Sequence, residues 1–396
     1  MIPAFATAGR VAHIDKNRMT QAIRLVPVTT QQELRTYVLL PEIINTRPNF
    51  VPPVWSDEFS FHDPKKNPAL QQCDTIRYLA YVGNRAVGRI MGIIHHEYNS
   101  RKKEKTGRFY QLEAINDPMV VHSLLQAIRD WCKERGMQRL IGPFGLSDKD
   151  PQGLQLEGFE HLPVIATATN PDFLPPMLEA EGMTKLIDCL VYQLEIPQSV
   201  PDLYRRIAER TLRNSRLRVL SFFKRASLKP FIVPVLRLVN ETYKDLLGFQ
   251  PMSEAEMRKL AAQYLPLLKP ELVKMIVDDH AAPVAFVIAV PDFSEGLRKA
   301  RGRLLPFGFL HLLQSMKRTQ QLDLLLGAVR SDFQGRGLTP VLGINLFESA
   351  RKRGLTCIDS HLILESNTRM RAEMERLGAV VYKRYRVYQQ ELRSES

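Results

Sequence analysis

Two glycines and an arginine separate an apolar run from a helical pattern in the stretch VRSDFQGRGLTPVLG (329–343). A glycine-rich turn that leads into a helix exposes backbone N–H groups, and the helix N-terminus adds partial positive charge, so such a turn attracts phosphate. Thr339 suits an N-cap and Pro340 the first helical position, so we expect the helix to begin there. Arg336 could add a positive charge. The alternative is that the glycines only permit a tight turn.

Two widespread phosphate-binding motifs do not fit this turn. The dinucleotide fingerprint would need glycine at position 340, where the chain has Pro340. The P-loop would need Gly-Lys-Ser/Thr after four spacer residues. Both motifs are therefore excluded.

A second group of residues could move protons. Asp359 and His361 are two positions apart on a predicted strand and so share a face. Asp323 begins the strand that leads to the glycine turn, and Glu365 lies where the following strand ends. For His361, a core histidine with satisfied hydrogen bonds is the alternative to catalysis. Three tyrosines of the last strand could supply an acid or could simply pack: Tyr382, Tyr385 and Tyr388.

The segments that carry these residues follow a mixed α/β order. The second half predicts a hairpin, a strand, a helix, a strand, a helix and a closing strand, at 272–290, 321–329, 340–354, 355–364, 367–378 and 379–392. The first half predicts the same series at 78–94, 107–115, 117–136, 137–143, 170–182 and 183–196. We therefore expect an α/β fold.

The two halves also have the same internal spacing. The distance from the hairpin turn to the glycine after the last helix is 99 residues in each, from Gly83 to Gly182 and from Asp279 to Gly378. We infer two copies of one unit, although chance similarity of two α/β patterns is the alternative. The expected division is an N-terminal extension, a first domain and a second domain, at 1–22, 23–197 and 198–396.

Composition narrows the class of protein. The chain has 396 residues, of which 44% are hydrophobic and 24% charged, as in ordinary globular proteins. Its four cysteines are far apart, which predicts neither a zinc site nor a disulfide framework. No segment resembles a signal peptide or a membrane span, so we expect a cytoplasmic protein, and peripheral contact with the inner membrane face is left open.

The formal net charge of +13 favours anionic partners such as nucleic acid, a lipid headgroup surface or a phosphorylated cofactor. Nucleic acid is disfavoured because neither aromatic–basic interleaving nor a recognition-helix pattern stands out. A lipid surface and a phosphorylated cofactor stay open.

The glycine turn resembles the acyl-CoA-binding motif of the GNAT superfamily, Gln/Arg-x-x-Gly-x-Gly/Ala, which falls on residues 334–339. Thr339 stands where that family has a small residue. The segment ESNTRMRAEMERLGA resembles the Asn-rich helix start of the family, with Asn367 and Gly378 at the expected separation. Met374 occupies the position of the family's frequent general-acid tyrosine.

The resemblance implies two tandem GNAT-like units, each a mixed, mostly antiparallel twisted sheet flanked by helices. It implies an N-acyltransferase that transfers an acyl group directly from acyl-CoA to an amine, with no permanently bound cofactor and no metal. Acyl-CoA would lie across two splayed parallel strands that end at Val329 and near Leu362. The residues expected to contact it are Ala328, Val329, Arg330, Gln334, Gly335, Arg336, Gly337, Leu338, Thr339 and Asn367.

In such a reaction, the N–H groups of residues 328–330 would polarise the thioester carbonyl. A base must take the proton of the amine, whose pKa is near 10, and the candidates are His361, Asp359, Asp323 and Glu365. The matching turn of the first half, LEAINDPMVV, lacks the glycines. We therefore do not expect the first half to bind CoA in the usual way.

A connection of about 30 residues, PDFSEGLRKARGRLLPFGFLHLLQSMKRTQQ, joins two strands of the second half, where a hairpin loop usually has about 2 to 5 residues. Basic residues flank its apolar patch, which is typical of an element that contacts membranes or handles lipids. Packing inside the protein as a lid is the alternative, and both suit an apolar substrate.

Three segments of the first half resemble a bacterial tandem-GNAT branch, the bacterial ceramide synthases: 63–71, 86–99 and 142–163. These enzymes N-acylate a sphingoid-type amine from a long-chain acyl-CoA. The resemblance implies a long-chain acyl donor and a lipid amine acceptor. Acetylation of a small polar amine or amino acid, and a non-catalytic binding protein with this fold, are the alternatives.

Overall fold

The computed structural model describes residues 22–167, 169–213 and 215–392. Most of the predicted N-terminal extension, 1–21, lies outside these residues. The strands of the first half are β1 (Ile23–Pro27), β2 (Cys73–Val82), β3 (Arg85–His95), β4 (Thr106–Ala114), β5 (Arg139–Gly142), β6 (Leu154–Glu157) and β7 (Thr184–Glu195). Its helices are α1 (Gln31–Ile44), α2 (Trp55–Phe61), α3 (His96–Lys102), α4 (Pro118–Glu134) and α5 (Leu174–Ala180).

The second half repeats this order with an insertion. Its strands are β8 (Arg218–Ser221), β9 (Val273–Val277), β10 (Pro283–Pro291), β11 (Gln321–Val329), β12 (Cys357–Asp359), β13 (Ile363–Leu364) and β14 (Val380–Glu391). Its helices are α6 (Asp202–Arg213), α7 (Ile232–Thr242), α8 (Glu254–Tyr264), α9 (Ser294–Lys299), α10 (Gly308–Arg318), α11 (Leu338–Lys352) and α12 (Thr368–Arg376). Helices α9 and α10 form the insertion between β10 and β11.

One mixed sheet runs through both halves in the order β1-β2-β3-β4-β5-β14-β7-β12-β11-β10-β9-β8, with β6 beside β14 and β13 beside β7. Among the strand pairs of the described residues, β4/β5 and β11/β12 are parallel and the others are antiparallel. The expected mixed, mostly antiparallel fold is confirmed.

The halves exchange their last long strands in the middle of this sheet. Strand β14 of the second half pairs with β5 of the first, where Tyr388 faces Gly142. Strand β7 of the first half pairs with β12 of the second, where Leu194 faces Ile358. Each half therefore receives one neighbouring strand from the other.

A wedge opens between the parallel strands β11 and β12. They pair only from Gln321 to Asp323 and from Cys357 to Asp359, and β11 then continues to Val329 beside β10 alone. The pair β4/β5 likewise has a parallel register of three residues, starting at Thr106. The splayed strands implied by the resemblance are thus present.

The predicted strand at 355–364 is interrupted in the structure. An oxygen of the Asp359 carboxylate accepts a hydrogen bond from the His361 N–H at 2.6 Å, and His361 has a φ of 58°. An aspartate that binds the backbone two residues later forms a turn in place of a continuing ladder. This turn separates β12 from β13.

Helix α11 begins at Leu338, earlier than predicted. Its N-cap is Gly337, with a φ of 81°, so Thr339 and Pro340 occupy the second and third helical positions. Glycine adopts this left-handed conformation without steric cost, and proline is tolerated in a first turn, whose N–H groups lack intrahelical acceptors. The helix therefore starts after Gly337, and the prediction of Thr339 as the N-cap is wrong.

Candidate active site

The glycine turn at the start of α11 is open to solvent. Gln334, Gly335 and Arg336 are exposed, and a Cβ added at Gly335 would meet no atom within 4 Å. The N–H groups of the first helical turn have no intrahelical acceptor. This end of α11 can therefore receive an anion from solvent.

Helix α6 packs behind the same turn. The hydroxyl of Thr211 donates to the Arg336 carbonyl at 3.0 Å. A Cβ at Gly337 would lie 2.8 Å from a methyl carbon of Ile207, so only glycine permits this approach. Gly335 therefore lies on the open side of the turn, and Gly337 on its supported side.

Two polar residues of the expected cofactor set act within the protein. The Asn367 side chain accepts a hydrogen bond from the Met370 N–H at 3.2 Å and is the N-cap of α12. The Gln334 side-chain oxygen accepts a hydrogen bond from Arg369, in the first turn of α12. The Gln334 contact ties the glycine turn to α12, and the Asn367 contact caps that helix.

The N–H groups of residues 328–330 do not all face the wedge. The Arg330 N–H donates to the Val284 carbonyl of β10 at 2.8 Å. Because hydrogen-bonding pairs alternate along antiparallel strands, Ala328 also faces β10, and the Val329 N–H is directed toward the wedge. One of the three expected N–H groups is thus directed into the wedge, about 20 Å along β11 from Asp323.

Buried charged residues meet where the wedge opens. Asp323 and Asp359 are register partners on β11 and β12, and both are fully buried. Lys383 of β14 is also buried, with Nζ 3.6 Å from an oxygen of Asp359 and 2.8 Å from the Leu162 carbonyl, to which it donates. The Tyr382 hydroxyl donates to Asp359. We call Asp292, Asp323, Asp359, Tyr382 and Lys383 the carboxylate cluster.

Burial sets the protonation of this cluster. It raises the pKa of Asp323 well above the usual range, and the nearby Asp292 and Asp359 carboxylates raise it further. One Asp323 oxygen accepts from the Gln321 amide at 2.8 Å, and the other lacks a partner among the described residues. Burial also raises the pKa of Asp292 and lowers that of Lys383. Asp323 therefore favours its protonated form.

A cavity of about 200 Å³ adjoins the cluster. This corresponds to the liquid volume of roughly seven water molecules, enough for a small polar group. Two members of the carboxylate cluster, Asp292 and Tyr382, line the cavity. The full lining is His161, Leu162, Gln193, Asp292, Gln321 and Tyr382. Of the carboxylates, Asp292 is the one that lines this cavity.

His361 lies close to the cluster, and Glu365 lies outside it. The His361 Nε2 donates to the Ile165 carbonyl at 2.9 Å, and burial lowers the pKa of the ring. A neutral ring then keeps its lone pair on Nδ1. Glu365 is part of a surface network, accepting from Lys185 Nζ at 2.6 Å and from the Asp188 N–H at 3.0 Å.

The tyrosines predicted as possible acids have different positions. Tyr382 lines the cavity, and burial and the Asp359 carboxylate raise its pKa. Tyr385 is fully buried, and the Tyr388 hydroxyl bonds Glu179 at 3.1 Å. Met374 packs in the core beside α11. Tyr382 is thus the one of the three at the cavity.

Sequence reasoning did not identify Asp292 and Lys383. Asp292 follows directly after β10, and a polar residue at a strand end was a usable signal. Lys383 shares the buried face of β14 with Tyr385 and Val387. A lysine at a position where the strand alternation predicts a buried side chain was a second usable signal. Neither signal indicates which distant residues meet there.

The matching helix of the first half has a different N-terminus. Asp117 is the N-cap of α4, and its carboxylate accepts from the Met119 N–H at 2.9 Å. A negative charge thus occupies the helix end that a phosphate would need. This geometry supports the expectation that the first half does not bind CoA in the usual way.

The chain is similar to two known proteins over most of its length. No family model matches the chain. The bacterial ceramide synthase of Caulobacter vibrioides is 28% identical over 379 residues, covering 93% of this chain and 98% of that protein. Protein YghO of Escherichia coli is 28% identical over 376 residues, covering 91% and 94%.

Two solved structures share the architecture across nearly the whole chain. A tandem GNAT protein from the clavulanic acid biosynthesis pathway has a TM-score of 0.52 at 14% identity, covering 95% of this chain and 100% of its own. A GCN5-related N-acetyltransferase from Sphaerobacter thermophilus has a TM-score of 0.50 at 13% identity, covering 95% and 98%. The tandem GNAT fold is confirmed, and the comparisons support the expectation of an acyltransferase.

Proposed function

We propose that this tandem GNAT protein is an acyl-CoA-dependent N-acyltransferase that transfers an acyl group directly to an amine in the wedge between β11 and β12. The observation that carries the proposal is that one strand, β11, connects the carboxylate cluster to the open glycine turn. From Asp323 to Val329 the strand spans about 20 Å, at about 3.3 Å per residue. A carrier held at the turn needs an extended arm to bring its thioester to the cluster, as CoA has.

The residues of the second half have separate roles in the proposed transfer. The amine nitrogen forms a bond to the thioester carbon, the carbon–sulfur bond breaks, and the amine proton goes to Asp292. The raised pKa of Asp292 makes it a stronger base than an exposed aspartate. Asp292 then gives this proton to the departing thiolate, and Tyr382, whose pKa is raised, stays protonated with its hydroxyl bonded to Asp359.

The proposed acceptor is a lipid amine, and the proposed donor is a long-chain acyl-CoA. One relative that matches over most of both chains is named a bacterial ceramide synthase. The cavity is large enough for a small amine head group, so the chain of the acceptor would extend outside it. Peripheral contact with a membrane is proposed in addition, and the transfer reaction does not depend on it.

A thiol-release assay with mass spectrometry of the products tests this function. The purified protein would be incubated with acetyl-CoA or palmitoyl-CoA, and with a long-chain amino alcohol or a small polar amine. The expected result is an N-palmitoyl amide of the long-chain amine, formed with one thiol per amide. Acetylation of the small amine alone would overturn the assignment of a lipid acceptor. If no thiol is released with either amine, the proposed transferase activity is wrong.

A further inference from the structure

The insertion formed by α9 and α10 starts and ends at the cavity. Asp292 precedes α9, Gln321 follows α10, and both line the cavity. Whatever surface the insertion contacts is therefore held near the candidate active site. No helix among the described residues is long and apolar enough to cross a membrane.

One side of the insertion packs against the protein, and the other side is exposed to solvent. Phe293, Leu312 and Met316 are buried in an apolar cluster against the protein. The insertion exposes five large apolar residues: Leu305 at 82%, Phe307 at 72%, Phe309 at 42%, Leu310 at 51% and Leu313 at 43%. Large adjoining apolar side chains in water are unusual and mark interaction sites. We call these five residues the outer face.

The insertion is fixed to the first half. The Trp55 side chain donates to the Arg301 carbonyl at 2.9 Å, and the Trp55 N–H donates to the Gly302 carbonyl at 3.1 Å. Two nitrogens of Arg303 bond the two carboxylate oxygens of Glu42 at 2.7 and 2.8 Å. These bonds hold the outer face in one orientation.

The charge around the outer face selects an anionic partner. Residues 294–320 contain six lysines and arginines and one acidic residue, Glu295. Glu295 pairs with Arg298 and Lys299 within α9. Arg301, which precedes the face, and Lys317 and Arg318, which follow it, are exposed. Apolar residues bordered by cations fit an interface where acyl chains lie beneath negative head groups.

We propose that the outer face docks on an anionic phospholipid bilayer, with its apolar side chains below the head groups and the flanking cations among them. Docking in this orientation keeps the cavity beside the lipid surface from which a lipid amine could enter. The docking itself needs no catalysis, so it can fail or succeed independently of the proposed function.

Co-sedimentation of the full-length protein with vesicles tests the docking. One set of vesicles is phosphatidylcholine alone, and the other contains phosphatidylglycerol as well. We expect binding to the anionic vesicles that weakens as salt is added, and much weaker binding to neutral vesicles. The substitution Phe307→Ser should lower the partition coefficient by about tenfold, because one large apolar side chain no longer leaves water.

Met119→Ser is the matched control for this substitution. Met119 is 60% exposed on α4, which packs on β2 and β3 from the face opposite α1 and α2. It should bind vesicles as the unmodified protein does. Equal loss in both variants, or no binding to anionic vesicles, would overturn the proposal. Concentration-dependent dimerisation abolished by Phe307→Ser, without vesicle binding, would assign the face to a second copy of the chain.

Discussion

At the scale of single residues, Asp292 is the acid–base group that the geometry favours most. Asp323 and Asp359 are fully buried, whereas Asp292 lines the cavity and keeps its carboxylate at the place where an amine could arrive. Ser294 donates to one oxygen of Asp292 through its N–H, at 3.0 Å, and through its hydroxyl. This support fixes the direction of the carboxylate.

The substitution Asp292→Asn should lower kcat by about 100-fold or more, the usual contribution of a general base, and leave the KM for acyl-CoA nearly unchanged. Because burial raises the pKa of Asp292, the carboxylate gains its proton at a higher pH than usual. Activity of the unmodified protein should therefore fall as the pH drops through that raised value. Steady-state rates measured from pH 9 down to the lowest pH at which the protein stays folded would show this limb, and the variant should lack it.

Glu365→Gln is the control, since Glu365 bonds Lys185 on the surface, outside the cluster. It should keep both the rate and the pH profile. If Asp292→Asn retains the acidic limb at an unchanged rate, the base is another group, and His361 through Nδ1 is the next candidate.

The raised pKa of Asp323 should affect the pH dependence of protein stability rather than the catalytic rate. Its folded-state pKa is raised, so between the unfolded and folded values the native state binds more protons than the unfolded state. The free energy of unfolding then falls as pH rises through that window, by at most about 1.4 kcal/mol per pH unit for this one group. The variant Asp323→Asn, a neutral isostere, should lack this loss.

Thermal unfolding of both proteins at several pH values measures this difference. The melting temperature of Asp323→Asn relative to the unmodified protein should increase from pH 4 to pH 8. A constant difference across that range would show that the folded-state pKa of Asp323 is not raised.

At the scale of elements, the start of α11 decides whether phosphate binds. Gly335 faces solvent with a φ of 75°, and an added side chain meets no atom within 4 Å. Aspartate and asparagine both tolerate this left-handed conformation better than most residues. Substitution here can therefore change the charge of the turn at little steric cost.

The variant Gly335→Asp should weaken CoA binding by tenfold or more, because a carboxylate at the turn repels the diphosphate. Gly335→Asn adds almost the same volume without the charge and should retain most of the affinity. Isothermal titration with CoA compares the two. Equal losses would mean that shape, and not charge at the turn, controls binding.

Most of the helices and strands around the turn can be predicted from the sequence, because the signals for them are local. Apolar periodicity around 321–329 and 340–354 predicts β11 and α11, and the glycines predict the turn between them. The start of α11 was misplaced because Thr339 and Pro340 are good cap and first-turn residues, and Gly337 competes through its backbone freedom. The break at His361 depends on one Asp359 hydrogen bond, which periodicity does not contain.

The site was predictable only in part, because it is assembled from distant strands. Asp323 and Asp359 were predicted as candidates because they lie on the strands before and after the turn and its helix. Lys383 reaches them because β14 passes beside β7, next to β12, and Asp292 because β10 ends beside β11. Strand pairing across such separations leaves no local signal in the chain.

At the scale of the whole molecule, the strand exchange joins the halves into one folding unit. Without β14, strand β5 has an unpaired edge, and without β7, strand β12 has one. Unpaired edges promote aggregation. The site itself spans both halves, since Leu162 holds Lys383 and Ile165 holds His361.

Residues 1–197 and 198–396 expressed separately should therefore fail to show cooperative thermal unfolding, and should co-purify when expressed together. Circular dichroism during heating and affinity purification with a tag on one half provide the two readouts. A sharp transition for either half alone would show that its sheet is complete without the exchanged strand.

The account depends on acyl-CoA lying along β11, and a crystal structure of the complex with CoA would test this most directly. It should place the diphosphate within hydrogen-bond distance of the N–H groups between residues 335 and 339, and the sulfur in the wedge near Asp323, beside the carboxylate cluster. A diphosphate bound at the start of α4, or a sulfur directed away from the carboxylate cluster, would contradict the account.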